Sequence, residues 1–561
     1  MTADTLAECE AIWAETEKHE RRRQANRLAE PETRLWDGDW NMQGWLSGEY
    51  LADFEWVDND TGAGVTEIPW DSWAAQWIWD EWGRLERGEK RNVHITVDTA
   101  NGARWSGRLE DVSPEKREDG SRVLVVNWLS DYETLKWYTV WSNAYLPAIF
   151  QWPRVFCLAG GARWTLLMAL FMQIQRDELG RGGLLWALPD DPLDPSTWGG
   201  SLDMSDWSVV VKPHSFMDDL EDGILWSILM SRFKNWHDLA KPILEDAELS
   251  VQWRRYLPGD PDPIPGKTLR HGALVIDIVD KSGYYIGTSN GGTLWDGLAR
   301  TVAQFASDFI DSTLDLAADV DVAEYRVPGL FLTDRRKPYV VWLEGEETGI
   351  QRSKITRKPA KAVQVTVGGH SMTGVNEALE VAINMAGDLI AAAILVPPIG
   401  GALAAAVMPI MRDTILAWMA VKSIQRAQHA GWSRYFEWFQ DGADRAYTLQ
   451  SLLVLRAGFW ATGSKFSAKV DVNDGSPWVL GDQGKGHCWV GDRVGFGLLG
   501  DRTGRIHVDR IKKIRMRYSD TEPLSFIPTI GDDSAQKDPA QRAMEKLEGV
   551  LSGLHDLGVY S

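Results

Sequence analysis

The stretch RLWDGDWNMQGWLSGEYLADFEWVDNDTGAGVTEIPWDSWAAQWIWDEW, Arg34 to Trp82, places tryptophan at positions 36, 40, 45, 56, 70, 73, 77, 79 and 82 among acidic residues and glycines. Tryptophan offers a very large buried area and an indole N–H that needs a partner, so this density marks a rigid core, an extensive interface, or both. No catalytic chemistry requires it. The expectation is a structural or assembly protein, with Trp36, Trp40, Trp45, Trp56, Trp70, Trp73 and Trp77 as candidate interface aromatics.

Downstream, from Val93, short alternating runs (HITVDT, ARWSGRLEDV, SRVLVVNWL) are separated by Asn101-Gly102 and Asp119-Gly120. Such turns between alternating runs are hairpin signals, so residues 31–150 read as an antiparallel β domain. Apolar residues at 70, 73, 77 and 78 or 82 have helical spacing, which puts one helix between Trp70 and Arg87, packed on that sheet. Upstream, residues 1–30 alternate charges without an apolar run, so they form an exposed helical arm and no signal peptide.

Residues 151–260 read as a helical and mixed domain, with helices expected at Gly161–Leu179 and Gly223–Phe233 around a proline- and aspartate-rich turn region. Residues 261–372 read as mixed α/β. Strands are expected at Gly272–Ile278, at Tyr284–Ile286, in PYVVWLEG and in KAVQVTVGG, with a helix from Leu294 to Leu316. Residues 373–456 read as helical, 457–530 as a compact β unit with hairpin turns, and 531–561 as a coiled-coil helix. In that last helix Met544, Leu547, Leu551 and Leu554 recur three, four and three residues apart, a short seam that implies a partner copy.

Composition narrows the function classes. The 561 residues carry a net charge of -21, which argues against wrapping nucleic acid, since phosphate affinity comes mainly from lysine and arginine. Three scattered cysteines encode neither a disulfide framework nor a paired-cysteine zinc site, in keeping with synthesis in a reducing cytoplasm. The uncharged run from Leu389 to Met411 is long enough to span a bilayer, but Pro397, Pro398, Gly400 and Gly401 break it. Each half is too short to cross alone, which favours a helical hairpin, including Leu389, Ile394, Leu395 and Val407, buried in protein or dipping into a membrane.

Three motifs touch on chemistry. Asp60-Thr61-Gly62 matches the triplet of an aspartic protease, but no second triplet exists and a glycine-rich turn explains it. Gly287-Thr288-Ser289-Asn290-Gly291 fits a nucleophile elbow, the main enzymatic rival, yet Gly291-Gly292 delays the helix that should follow at once. His487-Cys488 lacks the three or four converging ligands of a zinc site. The basic segment Arg352–Lys361 reads as a solvated loop or an interprotomer patch rather than a DNA site, lacking interleaved aromatics. No catalytic, metal or cofactor site is expected.

Several segments in order resemble the minor tail proteins of siphophages that infect actinobacteria, of the baseplate hub or tail-associated-lysin-like family. They are RLWDGDW, VDNDTG, RNVHITVD, ARWSGRLED, LSDYETLK, LPAIFQWPRVF, ARWTLLMALF and WALPDDPLDPSTW, then LRAGFWATGS, GDRVGF, IHVDRIKKI and the closing LGVYS. The resemblance spans nearly the whole chain from about residue 30. It implies a multidomain phage tail hub with tube-like antiparallel β-barrel domains, to which the residue patterns above add a helical apolar hairpin insertion and a C-terminal coiled-coil helix, an α+β chain in all.

The resemblance further implies a homotrimer at the tip of a non-contractile tail, closing the channel and taking part in attachment and DNA ejection. Implied partners are the distal tail protein ring, the tape measure protein, other minor tail proteins and genomic DNA that passes without specific binding. No enzymatic domain is expected after the last β unit. The hairpin is expected either to plug the tip and contact the host membrane after opening, or to lie buried in the trimer core. The rival readings are a cell-envelope hydrolase using Ser289 or Asp60, and a carbohydrate-binding receptor module.

Overall fold

The computed structural model describes residues 29–178, 204–281, 340–368, 418–440 and 458–531 with short interruptions, together with parts of 9–25 and the pair 317–318. The chain divides into two compact units. One comprises Met1–Arg300, Ala317–Lys354 and Ala468–Asp532; the other comprises Thr301–Leu316, Ile355–Ser467 and Asp533–Ser561.

The first unit begins with β1 (Glu32–Asp37), β2 (Met42–Leu46), β3 (Leu51–Val57) and β4 (Ala63–Pro69). Ala52, Phe54 and Trp56 point inward from β3, and Gly64, Thr66 and Ile68 from β4, the period-two pattern of a strand with one covered face. Two short helices follow, α1 (Trp73–Trp79) and α2 (Glu81–Glu86). The single helix expected from Trp70 to Arg87 is broken because Asp80 leaves helical geometry and its carboxylate accepts from Gly83 N at 3.0 Å, capping α2.

Strands β5 (Val93–Asp98), β6 (Arg104–Lys116) and β7 (Arg122–Ser130) complete the meander. Gly102 and Gly120 turn both hairpins at positive φ, at the two dipeptides that signalled them. Trp105 and Trp128 are fully buried; their indole N–H groups donate at 2.9 Å to the Glu55 carbonyl and to Thr66 Oγ1. Burying such a ring contributes about 3 kcal/mol, provided its N–H is partnered.

A mixed layer comes next: β8 (Phe156–Gly161), α3 (Ala162–Glu178), β9 (Val209–Val211), β10 (Trp226–Ser231), α4 (Trp236–Asp246), β11 (Leu249–Arg255) and β12 (Leu274–Asp280). Helix α3 buries Leu166, Ala169, Leu170, Gln173 and Ile174, a helical stripe, against a core that includes Trp207, Trp236 and Leu244. The segment Gly223–Phe233, expected as a helix, instead supplies β10, paired antiparallel to β8 from Trp226↔Gly161 to Ser231↔Phe156. Its backbone satisfies the β8 edge, which local periodicity could not reveal.

Later strands are β13 (Val341–Leu343), β14 (Ile350–Lys358), β15 (Ala362–Gly368), β16 (Trp418–Lys422), β17 (Tyr435–Phe439), β18 (Lys465–Val472), β19 (Arg493–Gly497), β20 (Ile506–Ser519) and β21 (Ser525–Ile530). Among the described residues one 14-stranded sheet has the main order β14-β18-β21-β20-β3-β4-β7-β6-β5-β1-β2. Strand β20 runs antiparallel to β3 from Lys513↔Val57 to Ser519↔Leu51, so the strands expected as a compact C-terminal unit share the sheet of residues 31–150. The path stays open between β14 and β2; no barrel closes among the described residues.

In the second unit β15 pairs antiparallel with β16 and parallel with β17. Of the region 373–456, expected to be helical, only 418–440 is described; there the expectation is corrected, because WMAVK and YFEWF are strands and only α5 (Ile424–Ala430) between them is helical, while the rest lies outside the described residues. Ser423 caps α5 by accepting from Arg426 N, and Gly431 ends it at φ 74, so the aromatic and β-branched segments on either side are released to pair with β15. No helix among the described residues is long and apolar enough to cross a membrane.

Candidate assembly surface

The nine tryptophans divide by strand parity and helix face. Trp36 is buried on β1 and donates from Nε1 to Thr96 Oγ1 at 2.9 Å. Trp40 is buried too, stacked on His94 with centroids 4.7 Å apart and lying under the Arg255 guanidinium at 4.4 Å. Trp56 meets Trp489 edge-on at 5.2 Å, tying β3 to the C-terminal segment. Trp77 is buried on α1, stacks with Trp73 at 5.9 Å and donates to Glu89 Oε2 at 2.9 Å. Trp70 is half-buried and meets Trp79 edge-on at 6.0 Å.

The others face solvent. Trp45 is 56% exposed, Trp73 51%, Trp79 47% and Trp82 76%. A soluble monomer gains nothing by displaying four indoles within one segment, and such rings are typical anchors of protein interfaces. Sequence reading did not single out further exposed rings, among them Trp137 and Trp152 of the first unit. Their local patterns are those of an ordinary turn and loop, and only the fold shows them uncovered.

Buried charges join distant segments of this unit. The Asp58 carboxylate is fully buried; Arg510 lies 3.1 Å from it, Lys512 3.3 Å, and the Ser250 hydroxyl donates to it. Burial pulls this carboxyl upward, but Arg510 and Lys512 outweigh burial and hold it below the usual range. Asp131 behaves alike: against burial, Arg255 makes two 2.8 Å hydrogen bonds that keep it ionised. Burial, then nearby Arg255, pushes His94 down to about 3, so its imidazole stays neutral.

The triplet Asp60-Thr61-Gly62 leaves the tight Asp58-Asn59 turn between β3 and β4, which the Val57↔Asp60 bridge closes. Against burial, hydrogen bonds from Lys241 at 2.7 Å and Lys136 at 2.9 Å keep the Asp60 carboxyl well below the usual range. Cys488 is buried, which pushes its thiol up, and His487 Nδ1 accepts from Val479 N at 3.0 Å. Among the described residues no His, Cys, Asp and Glu side chains converge on a metal site. The basic segment falls on β14, at one end of the sheet path, with Arg352 and Lys354 exposed; edge-strand cations discourage unwanted pairing. Ser289, the helix from Leu294, the hairpin residues from Leu389 to Val407 and the seam of Met544, Leu547, Leu551 and Leu554 lie outside the described residues.

Residues 32–532 match the family described as Siphovirus ReqiPepy6 Gp37-like protein. The chain is 30% identical to minor tail protein Gp28 of Mycobacterium phage L5, over 99% of each chain. It is also 30% identical to minor tail protein Gp28 of Mycobacterium phage D29, again over 99% of each. Among solved structures, a tail protein from Neisseria meningitidis MC58 superposes over 90% of this chain and 98% of its own, at 12% identity and a TM-score of 0.38. So loose a likeness does not define the fold.

Proposed function

Because the chain belongs to the Siphovirus ReqiPepy6 Gp37-like family, and with it to the siphophage minor tail proteins, we propose that it is a non-enzymatic structural subunit of the tail tip. In this reading three copies form a hub below the tail tube, close the channel and take part in attachment and DNA ejection. The distal tail ring, the tape measure protein and other minor tail proteins are its neighbours.

The observation that carries the reading is the set of indoles left uncovered in the single chain, Trp45, Trp73, Trp79 and Trp82. Covering them requires another protein surface, which a tail assembly supplies. The net charge of -21 suits a conduit that must not retain its DNA. The seam from Met544 to Leu554 would hold copies together, and the run around Pro397-Pro398 would serve as plug or trimer core.

Aspartic-type hydrolysis at Asp60 is disfavoured, because Lys136 engages its Oδ1 at 2.9 Å and Lys241 its Oδ2 at 2.7 Å, so both oxygens are held by cations where a protease aspartate must share a proton with a second carboxylate. Hydroxyl-radical footprinting tests the proposal. Trp45 and Trp82 should be oxidised in purified chain and protected in intact virions. Equal oxidation in both would overturn the assembly role of this surface.

A further inference from the structure

The three-stranded sheet of the second unit presents two unlike faces. Val363, Val365 and Val367 of β15 are buried, with Met419 of β16 and Phe459 also buried in this unit, so that face is core at β15 and β16, while Phe436 and Trp438 of the edge strand β17 stay exposed on it. The opposite face is ordered by the register. Across it, Lys422, Gln364 and Glu437 form one row; Ala420, Thr366 and Phe439 form the next; Trp418 stands beside Gly368 beyond them, and Tyr435 beside Ala362 at the other end.

This outer face joins rings to fixed polar groups. Trp418 and Phe439 meet edge-on with centroids 5.6 Å apart and are 47% and 44% exposed. Tyr435, 72% exposed, lies four residues along the strand from Phe439, about 13 Å away. Between them the Glu437 carboxylate accepts from Gln364 Nε2 at 2.8 Å and from the Thr366 hydroxyl, both through Oε1. These hydrogen bonds keep it ionised and fix its direction.

We propose that this face is a binding platform for a neutral polysaccharide, with Trp418, Phe439 and Tyr435 stacking on the apolar faces of sugar rings and Glu437, Gln364 and Lys422 bonding hydroxyls. The chemistry selects this ligand over the alternatives. An apolar protein surface would strip water from the Lys422 ammonium and from the Glu437 carboxylate, whose bonds from Gln364 and Thr366 both end on Oε1, at a desolvation cost that sugar hydroxyls avoid. Nucleic acids and anionic surfaces are disfavoured by the exposed carboxylate and by the chain's charge of -21. Aromatic faces with a few oriented polar groups are a usual composition for small-molecule recognition.

The site does not depend on the tail-hub reading, so the two can fail separately. The test immobilises neutral oligosaccharides of four or more pentose or hexose units, beside dextran sulfate and anionic phospholipid vesicles, and measures binding of the full-length chain. Retention on neutral oligosaccharides is expected, weakened about tenfold by Trp418→Ala or Phe439→Ala, and several-fold by Tyr435→Ala or Glu437→Gln. Circular dichroism checks that each variant is folded; should the Trp418 variant not fold, the exposed Tyr435 and Glu437 variants decide. No neutral glycan retained, retention only on dextran sulfate or vesicles, or retention indifferent to these substitutions would each overturn the proposal. Self-association abolished by Tyr435→Ala would overturn it as well, by identifying a second copy as the occupant.

Discussion

Arg510 Nη2 stands 3.1 Å from the Asp58 carboxylate, an ion pair that joins the end of the third strand to a strand near the far end of the chain. Lys512 and Ser250 complete the cluster, so three segments remote in sequence meet at one buried charge. Asp58→Asn leaves the Arg510 guanidinium buried without its counter-ion and should cost about 3 kcal/mol of stability, read by urea unfolding at neutral pH. The folded-state affinity of Asp58 for protons is depressed, so its stabilisation is complete above the unfolded carboxyl's range near pH ~4 and is lost as the pH falls below it. A variant as stable as the parent would remove Asp58 from this role.

His94 gives a second, separable pH dependence. Its folded-state value of about 3 lies below the ordinary 6.5, so the unfolded chain takes up a proton that the folded chain refuses. The stability is present above pH 6.5 and is lost as the pH falls toward the folded value. Between pH 7 and pH 5 the loss should be about 2 kcal/mol, and His94→Phe should abolish that part of the slope. An unchanged slope in the variant would show that other groups set it.

Gly272 sits at φ +80, and a Cβ there would run into the Trp40 ring, whose main-chain carbonyl accepts from His271 Nε2 at 2.9 Å. Gly272→Ala should therefore destabilise by about 3 kcal/mol, from left-handed backbone strain plus overpacking. Gly48 shares φ +80 but has nothing within 4 Å of its added Cβ. Gly48→Ala should cost only about 1 kcal/mol, the backbone part alone. Equal losses in thermal melts would mean that the Trp40 contact is soft.

The C-terminal seam is tested by a charge. Leu547→Asp or Leu551→Asp places an unpaired carboxylate where apolar residues recur at heptad spacing, and should lower the sedimentation mass from that of the proposed trimer toward that of the single chain. An unchanged mass would dismiss the seam as the oligomer contact.

Local physics was legible in the sequence where neighbours in the chain are neighbours in space. The Asn101-Gly102 and Asp119-Gly120 hairpins and the helix α3 all depend on spacings of two to four residues. Partner choice was not legible. Nothing in IHVDRIKKIRMRYS names β3 as its neighbour, and nothing in WSILMS names β8, because a strand's unpaired backbone is the same whoever pairs with it.

The same distinction divides the candidate surface. The abundance of tryptophan from Trp36 to Trp82 was plain, and strand parity accounts for Trp56 facing inward beside Phe54. Which indoles stay uncovered depends on helices that Asp80 splits and on the His94, Arg255 and Asp131 cluster around Trp40, whose members are far apart in the chain. The rings of β16 and β17 were hidden by a helical reading, since short aromatic segments next to a capped helix carry no periodicity of their own.

The central claim is that this chain builds a three-fold hub at the tail tip, and a cryo-electron map of the intact tail tests it most directly. The map should place three copies around the channel below the tail tube, with Trp45 and Trp82 against neighbouring protein. A ring of six copies, or density for this chain away from the tip, would contradict it.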